Sequence, residues 1–174
     1  IVFHIFTALI FALLMQQEIT IYTDGSSRGN PGPGGYGAVL MFGKHRKELS
    51  GGYKHTTNNR MELMAVIEGM KALKTKKIPV TIYSDSQYVV NAVTKGWLAN
   101  WVKTDFKGGK KNKDLWMQYY KLSAAFNIKF VWVKGHANNP HNNRCDELAT
   151  QAADSGNLKP DKGFEEEPGI FKAL

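Results

Sequence analysis

The sequence has little cysteine, no apolar run long enough to cross a membrane, and fewer acidic than basic residues. Cys145 is the single cysteine among 174 residues, which excludes an intramolecular disulfide framework and a zinc ribbon built from thiolates. A reducing, cytoplasmic location is the simplest expectation for such a chain. Asp and Glu number 15 against 23 Lys and Arg, a net charge of +8, which favours a polyanionic partner such as nucleic acid.

The first fifteen residues, IVFHIFTALIFALLM, are almost entirely apolar. They are fewer than the ~20 needed to span a bilayer, and they lack the basic start and cleavage site of a secretory signal. We expect translation to begin at Met15 and residues 1–14 to be an upstream artefact. A genuine membrane-associating or partner-docking helix is the alternative, and only in that case is a membrane contact expected.

Composition and patterning predict one α/β domain over residues 16–156. A hydrophobic content of 43% and an aromatic content of 11% exclude a disordered chain. The pattern predicts three strands, a helix, a strand, further helices, a fifth strand and a last helix over residues 144–153. Strand–helix–strand crossovers imply parallel neighbours and hairpins imply antiparallel ones, so we expect a mixed sheet with helices on its faces.

Two segments are expected to lack regular structure. Residues 26–35, SSRGNPGPGG, are dense in glycine and proline and predict a loop. Residues 157–174, with their Gly, Pro and the acidic run Glu165 to Glu167, predict a flexible C-terminal tail.

Four acidic residues fall where predicted strands or helices meet loops. Asp24 ends the first predicted strand, Asp85 ends the fourth, Glu62 lies one turn into the first long helix, and Asp146 lies in the first turn of the last helix. If the first and fourth strands are adjacent and parallel, Asp24 and Asp85 lie side by side at the carboxyl edge of the sheet. Taken singly, each acid could be a turn, cap or solvated residue.

Taken together, four converging carboxylates predict a metal centre. Without Lys or Arg between them they would repel one another and raise one another's pKa values. A hard divalent cation removes that cost, and oxygen ligands suit Mg²⁺ or Mn²⁺. Two such ions can activate a water and stabilise the leaving oxygen in phosphodiester cleavage.

Four sequence blocks resemble bacterial type I ribonuclease H. They are TDGSSRGNPGPGGYG (Thr23–Gly37), TTNNRMEL (Thr56–Leu63), YSDSQYV (Tyr83–Val89) and WVKGHANNPHNNRCDELA (Trp132–Ala149). The resemblance implies the ribonuclease H-like α/β fold, with a five-stranded mixed sheet and helices on both faces. It implies endonucleolytic cleavage of the RNA strand of RNA–DNA hybrids by two-metal-ion catalysis, leaving 5′-phosphate and 3′-hydroxyl ends. A role in removing hybrids during DNA replication and repair follows.

The resemblance also implies roles for single residues. The family's metal ligands fall on Asp24, Glu62, Asp85 and Asp146, with Asp24 bridging two Mg²⁺ ions for which Mn²⁺ could substitute. Its mobile-loop histidine falls on His136, which can exchange protons near neutral pH. The implied hybrid contacts include Asn30, Asn58, Asn59 and Gln87. A basic stretch with aromatic residues adds Trp97, Trp101, Lys103, Lys107, Lys110 and Lys111 as contacts, and Lys113 also belongs to this stretch.

Several alternatives remain open from the sequence. Asn58 and Asn59 could cap a helix, and the lysines could form a solvated surface over tryptophans in the core. A zinc site of His136, His141 and Cys145 would offer too few ligands for a structural site. A catalytically silent nucleic-acid-binding module and a nuclease or recombinase acting on DNA are the competing functions. A monomer without an obligate protein partner is expected.

Overall fold

The structure of the protein, a computed structural model, describes residues 18–135 and 138–166. The strands of this part are β1 (Ile19–Ser27), β2 (Gly32–Phe42), β3 (His45–Thr56), β4 (Val80–Ser84) and β5 (Ile128–Trp132). Its helices are α1 (Asn58–Lys71), α2 (Gln87–Thr94), α3 (Trp97–Lys103), α4 (Lys113–Ser123), α5 (Pro140–Ala153) and α6 (Lys162–Glu165). None of these helices has the length and apolar character needed to cross a membrane. The expected N-terminal extension, residues 1–15, lies outside the described residues.

The five strands form one mixed sheet in the order β3-β2-β1-β4-β5. The first three strands pair antiparallel, whereas β1 pairs parallel with β4 and β4 pairs parallel with β5. The last parallel pair between β1 and β4 joins Thr23 to Ser84. The first and fourth strands are therefore adjacent and parallel, which is the condition under which Asp24 and Asp85 were expected to lie side by side.

Helices cover both faces of the sheet, as expected. On one face Ile21 and Ile82 pack with buried residues of α1 and α4, including the fully buried Trp116. On the other face Val39 packs against Cys145 and Leu148 of α5. The alternation of side chains along β1 and β2 thus supplies two separate apolar surfaces.

The prediction of a loop over residues 26–35 is wrong for most of this segment. Strand β1 continues to Ser27 and β2 begins at Gly32, so only residues 28–31 connect the two strands. Gly35 serves close packing against α5, because a Cβ at this position would lie 2.3 Å from the carbonyl oxygen of Ala149. The strand face therefore needs glycine to let a helix approach.

Helix α5 begins at Pro140, earlier than the expected start at residue 144. The side chain of Asn139 accepts hydrogen bonds from two backbone N–H groups of the first turn, each at 3.1 Å. Asparagine before proline is a strong helix start. Asp146 therefore lies in the second turn of the helix and not in its first.

Residues 157–166 depart from the flexible tail expected there. Lys159 exchanges two backbone hydrogen bonds with β3, at 2.8 and 3.0 Å, and α6 follows directly. Asp161 and Phe164 are only 3% and 5% exposed. The segment lacks the apolar periodicity that would have predicted its packing, because an ion pair and one aromatic ring hold it. Residues 167–174 lie outside the described part of the chain.

Candidate metal centre and nucleic-acid cleft

The carboxyl edge of the parallel strands places two acids side by side. Asp24 and Asp85 each follow the last parallel pair of β1 and β4, Thr23 with Ser84. Beyond that pair β1 continues only as the partner of β2, so β1 and β4 no longer pair with each other from this point on. The Asp24 Oδ1 atom accepts the backbone N–H of Gly25 at 2.7 Å, which holds the carboxylate in place.

Glu62 reaches the same edge from α1. The backbone of this helix lies against β1 at Gly25, where a Cβ atom would fall 2.2 Å from the amide nitrogen of Glu62. A side chain at position 25 would push the helix away from the strand. Helix α1 begins after the N-cap Thr57, whose side chain accepts from the N–H of Arg60. Neither Asn58 nor Asn59 supplies the cap.

Asp24, Glu62 and Asp85 each offer a carboxylate oxygen within 4.8 Å of the other two. Asp24 and Glu62 are 7% and 6% exposed. One oxygen of Glu62 and one of Asp85 are buried without a hydrogen-bond partner among the described residues. Three carboxylates packed this closely repel one another strongly in a poorly hydrated site.

Burial and the repulsion of neighbouring carboxylates raise the pKa values of Asp24 and Glu62. Burial, followed by the charges of Asp85 and Asp146, raises the pKa of Asp24 to about 8. Burial, followed by the charges of Asp24 and Asp85, raises the pKa of Glu62 well above its ordinary value. The cluster therefore holds protons at neutral pH unless another cation replaces them.

Asp146 stands outside the group of three but acts on it. Its side chain is partly exposed on α5, and its charge contributes to the raised pKa of Asp24. The pKa of Asp24 is thus raised by the charges of Asp85, directly after β4, and of Asp146 on α5. All four predicted acids face one region of the molecule.

The donor set fits a hard divalent cation. It consists of carboxylate oxygens, two of which lack hydrogen bonds within the described structure. Oxygen ligands of this kind suit Mg²⁺ or Mn²⁺ and not a soft metal. Within residues 18–135 and 138–166, no other three His, Cys, Asp or Glu side chains offer ligand atoms this close together.

Asn142 is a candidate site residue that the sequence reasoning missed. It is 2% exposed, its Nδ2 atom lies 3.5 Å from Asp85 Oδ2, and its Oδ1 atom is buried without a partner in the described chain. The signal was present in the Asn-Pro pair at residues 139–140, which sets the true start of α5. Placing the helix start at residue 144 left Asn142 in a loop.

His136 lies outside the described residues, so its predicted position remains a prediction. The alternative zinc site includes His136 as well, so only its other two members, His141 and Cys145, lie within the described residues. Of its other two members, Cys145 is fully buried between α5 and the sheet. Burial raises the pKa of the Cys145 thiol, which disfavours the thiolate that zinc requires.

A cleft of about 630 Å³ lies beside the start of α1. Five of the predicted hybrid contacts line it: Asn30, Asn59, Trp101, Lys110 and Lys111. Other lining residues come from α2, the N-cap of α4 and the C-terminal segment, namely Tyr88, Asn112 and Phe164. Amide groups, an aromatic face and lysines surround one groove, a combination suited to a polyanion with planar bases.

The other predicted contacts are not among the residues that line this cleft. Asn58 donates its backbone N–H to Asn30 Oδ1 at 3.2 Å, and its side-chain amide lies 3.5 Å from Glu62 Oε1. Trp97 is 41% exposed, with the Lys95 ammonium 5.6 Å from its ring centroid. Gln87, Lys103 and Lys107 are exposed. Trp101 is half-buried against Trp116 and Phe106, so the tryptophans divide between core and surface.

Comparisons with known proteins agree with this geometry. The RNase H family model matches residues 16–154. A ribonuclease H of Syntrophus aciditrophicus is 54% identical over 153 residues, covering 86% of this chain and 88% of that protein. A ribonuclease H of Lachnoclostridium phytofermentans is 54% identical over 159 residues, covering 86% of this chain and all of that protein, 100%.

The structural comparison points the same way. LC11-RNase H1, solved in complex with an RNA/DNA hybrid, is 26% identical with a TM-score of 0.61, covering 79% of this chain and 97% of that one. The mixed sheet and its carboxylate cluster define an α/β nuclease that works with metal ions. The chain belongs to the ribonuclease H family and is a metal-dependent endoribonuclease.

Proposed function

We propose that this protein hydrolyses the RNA strand of RNA–DNA hybrids by two-metal-ion catalysis, leaving 5′-phosphate and 3′-hydroxyl ends. The observation that carries the proposal is the buried group of three carboxylates within 4.8 Å of one another. The repulsion among these buried carboxylates destabilises the metal-free protein, and a catalytically silent binding module would have no use for such a cluster. The hybrid bound to LC11-RNase H1 supports the choice of substrate.

Asp24, Glu62, Asp85 and Asp146 would hold Mg²⁺, with Mn²⁺ as a substitute. Burial, followed by the charges of Asp85 after β4 and Asp146 on α5, raises the pKa of Asp24, which supports a central place for this carboxylate among the ligands. Glu62, Asp85 and Asp146 would supply the other carboxylate ligands. When bound, the ions would supply Lewis-acid chemistry, namely activation of a water and stabilisation of the charge on the leaving oxygen.

The chain's own groups bind and orient the substrate. Asn30 and Asn59 at the cleft would contact the minor groove and sugars, where 2′-hydroxyls distinguish RNA from DNA. Asn58 and Gln87 would add contacts close to the metal centre. The aromatic and basic residues would grip the DNA strand: Trp97, Trp101, Lys103, Lys107, Lys110 and Lys111.

His136 would move a proton between water and the leaving group. An imidazole titrates near neutral pH and suits this task. We also propose that the enzyme acts as a monomer in the cytoplasm, removing hybrids during replication and repair.

The test compares three substrates and one isosteric variant. Wild-type protein with Mg²⁺ is expected to cleave an RNA–DNA hybrid, and not duplex DNA or duplex RNA, with end analysis showing 5′-phosphate products. Asp85→Asn removes a ligand charge but keeps the shape, so cleavage should fall by at least about a hundredfold while hybrid binding is retained.

Glu147→Gln is the matched control. This residue lies on α5 beside Asp146, and its side chain is 57% exposed in a surface pair with Arg144, so its cleavage rate should equal the wild-type rate. Normal cleavage by Asp85→Asn would refute the proposed centre. Preferential cleavage of duplex DNA would favour the DNA-nuclease alternative, and binding without cleavage by the wild type would favour the silent module.

A further inference from the structure

Arg60 is a charged side chain buried almost completely, with 1% exposure. It lies in the first turn of α1, next to the cleft residue Asn59 and two positions before Glu62. A guanidinium cannot give up its charge in a protein. Burying it therefore requires carboxylate partners in fixed positions.

Two carboxylates bind the Arg60 guanidinium in bidentate fashion. Its Nε and Nη2 atoms donate to Asp161 at 2.7 and 2.8 Å. Its Nη1 and Nη2 atoms donate to Asp114 at 2.8 and 2.7 Å. Burial alone would raise the pKa of Asp114, but the hydrogen bonds from Arg60 hold it below its ordinary value. We call these three residues the Arg60 clasp.

The two acids come from two different segments of the chain, each of which has nearby residues that line the cleft. Asp114 lies in the first turn of α4, directly after the basic stretch that supplies Lys110 and Lys111. Asp161 is 3% exposed and belongs to the C-terminal segment, where it also accepts the hydroxyl of Thr56 at 2.7 Å. The clasp thus ties both segments to the start of α1.

The C-terminal segment itself reaches the cleft. Three residues after Asp161, Phe164 lines the groove together with Trp101 and Asn59. Asp161 accepts the backbone N–H of Phe164 at 3.3 Å, and the Phe164 ring packs on His55 with centroids 5.3 Å apart. The position of this ring therefore depends directly on the clasp.

We infer that the Arg60 clasp sets the separation and orientation of the cleft walls, so that Arg60, Asp114 and Asp161 are positioning residues for nucleic-acid binding. This inference rests on the proposed function for the identity of the bound duplex. A buried ion pair contributes little net stability compared with apolar packing, but it holds groups at defined positions. Substrate-contacting groups need such support from residues behind them.

The test is Asp161→Asn, which removes one charge and keeps the side-chain shape. Its control is Asp154→Asn, the same substitution in an exposed pair with Arg28 (side chains 48% and 51% exposed). We would measure KM and kcat for cleavage, and the Kd of a fluorescent RNA–DNA hybrid without divalent metal, at a temperature where circular dichroism shows both variants folded. The affinity for Mg²⁺ alone is measured by calorimetry.

For Asp161→Asn we expect KM and the metal-free Kd to rise about tenfold while kcat and Mg²⁺ affinity stay within about twofold of wild type. Asp154→Asn should change none of the four. A lower unfolding temperature with unchanged KM and Kd would overturn the inference, as would a loss of kcat alone. If Asp161→Asn does not fold, Asp114→Asn, with a side chain 37% exposed, carries the same test. If the wild type binds the hybrid but does not cleave it, the proposed activity fails while the Kd comparison still decides the inference.

Discussion

Asp24→Asn should stabilise the metal-free protein although it removes a proposed metal ligand. Asp24 is 7% exposed and shares a buried site with Glu62 and Asp85. Replacing its carboxylate by an amide of the same shape removes one charge from this cluster. The Oδ1 acceptor for the Gly25 N–H remains in place.

The size of the effect follows from the separation of the charges. Two unit charges 4.8 Å apart repel by about 3 kcal/mol at an effective dielectric constant of about 20. Proton uptake by the cluster relieves part of this repulsion. We therefore expect a gain of about 2 kcal/mol at pH 8.5, which for a chain of this size raises the melting temperature by about 4–8 °C.

The gain should depend on pH in a defined direction. The pKa of Asp24 is about 8 in the folded protein and about 4 in an unfolded chain. The folded wild type therefore binds more protons than the unfolded chain between these values, and its stability falls as pH rises from about 4 to about 8. The asparagine variant lacks this titration, so its advantage should grow over that window.

Thermal unfolding in EDTA, followed by circular dichroism from pH 5 to 8.5, measures the difference, with Asp154→Asn as the exposed control. Saturating Mg²⁺ should reduce or reverse it, because the ion stabilises the wild-type site. A variant no more stable than wild type at pH 8.5, or an advantage that does not change with pH, would refute the electrostatic reasoning.

Two further predictions concern the helix contact and the basic stretch. Gly25→Ala should lower the free energy of unfolding by about 1–3 kcal/mol and slow cleavage, because its Cβ would lie 2.2 Å from the Glu62 nitrogen. Urea unfolding measures the loss of stability. The control is Gly156→Ala, where the added Cβ would meet no atom within 4 Å. Lys110→Ala should reduce the slope of log K against log salt for hybrid binding by roughly 0.7–0.9, because one phosphate contact is lost. Fluorescence titration at several salt concentrations measures the slope. An unchanged slope, or the same change in a variant of an exposed lysine, Lys77→Ala, would contradict the assignment of Lys110 as a phosphate contact.

Local sequence signals predicted the elements that place the first two acids. A β-branched strand ending near Asp24, a buried strand ending at Asp85 and the crossover between them predicted a mixed sheet, in which the two acids lie side by side if their strands are adjacent and parallel. Their closeness is confirmed by the carboxylate group of the structure. Glu62 and Asp146 were candidates because they lie near the starts of predicted helices, but their assignment as metal ligands came from the family resemblance, since helical spacing alone does not show which strand edge a helix covers.

What the sequence could not reveal depends on contacts between distant residues. Arg60 and Asp161 are 101 positions apart, and the local sequence around either residue does not indicate that the two form an ion pair. The glycines of residues 26–35 predicted a loop, whereas Gly35 lies in a strand and makes close contact with a helix more than a hundred residues later. Glycine permits both a turn and a close approach, so composition could not separate the two.

The first turns of α1 join the metal centre to the cleft. Asn58 and Glu62 are four residues apart and lie on one side of the helix, beside Asp24, while Arg60 is about 200° around the helix axis from Asn58. One rigid element therefore directs a ligand towards the carboxylate cluster and a cation towards Asp161. A change that tilts α1 must disturb metal binding and hybrid binding together. A change in the clasp that leaves the helix in place alters hybrid binding alone, because the acids keep their positions.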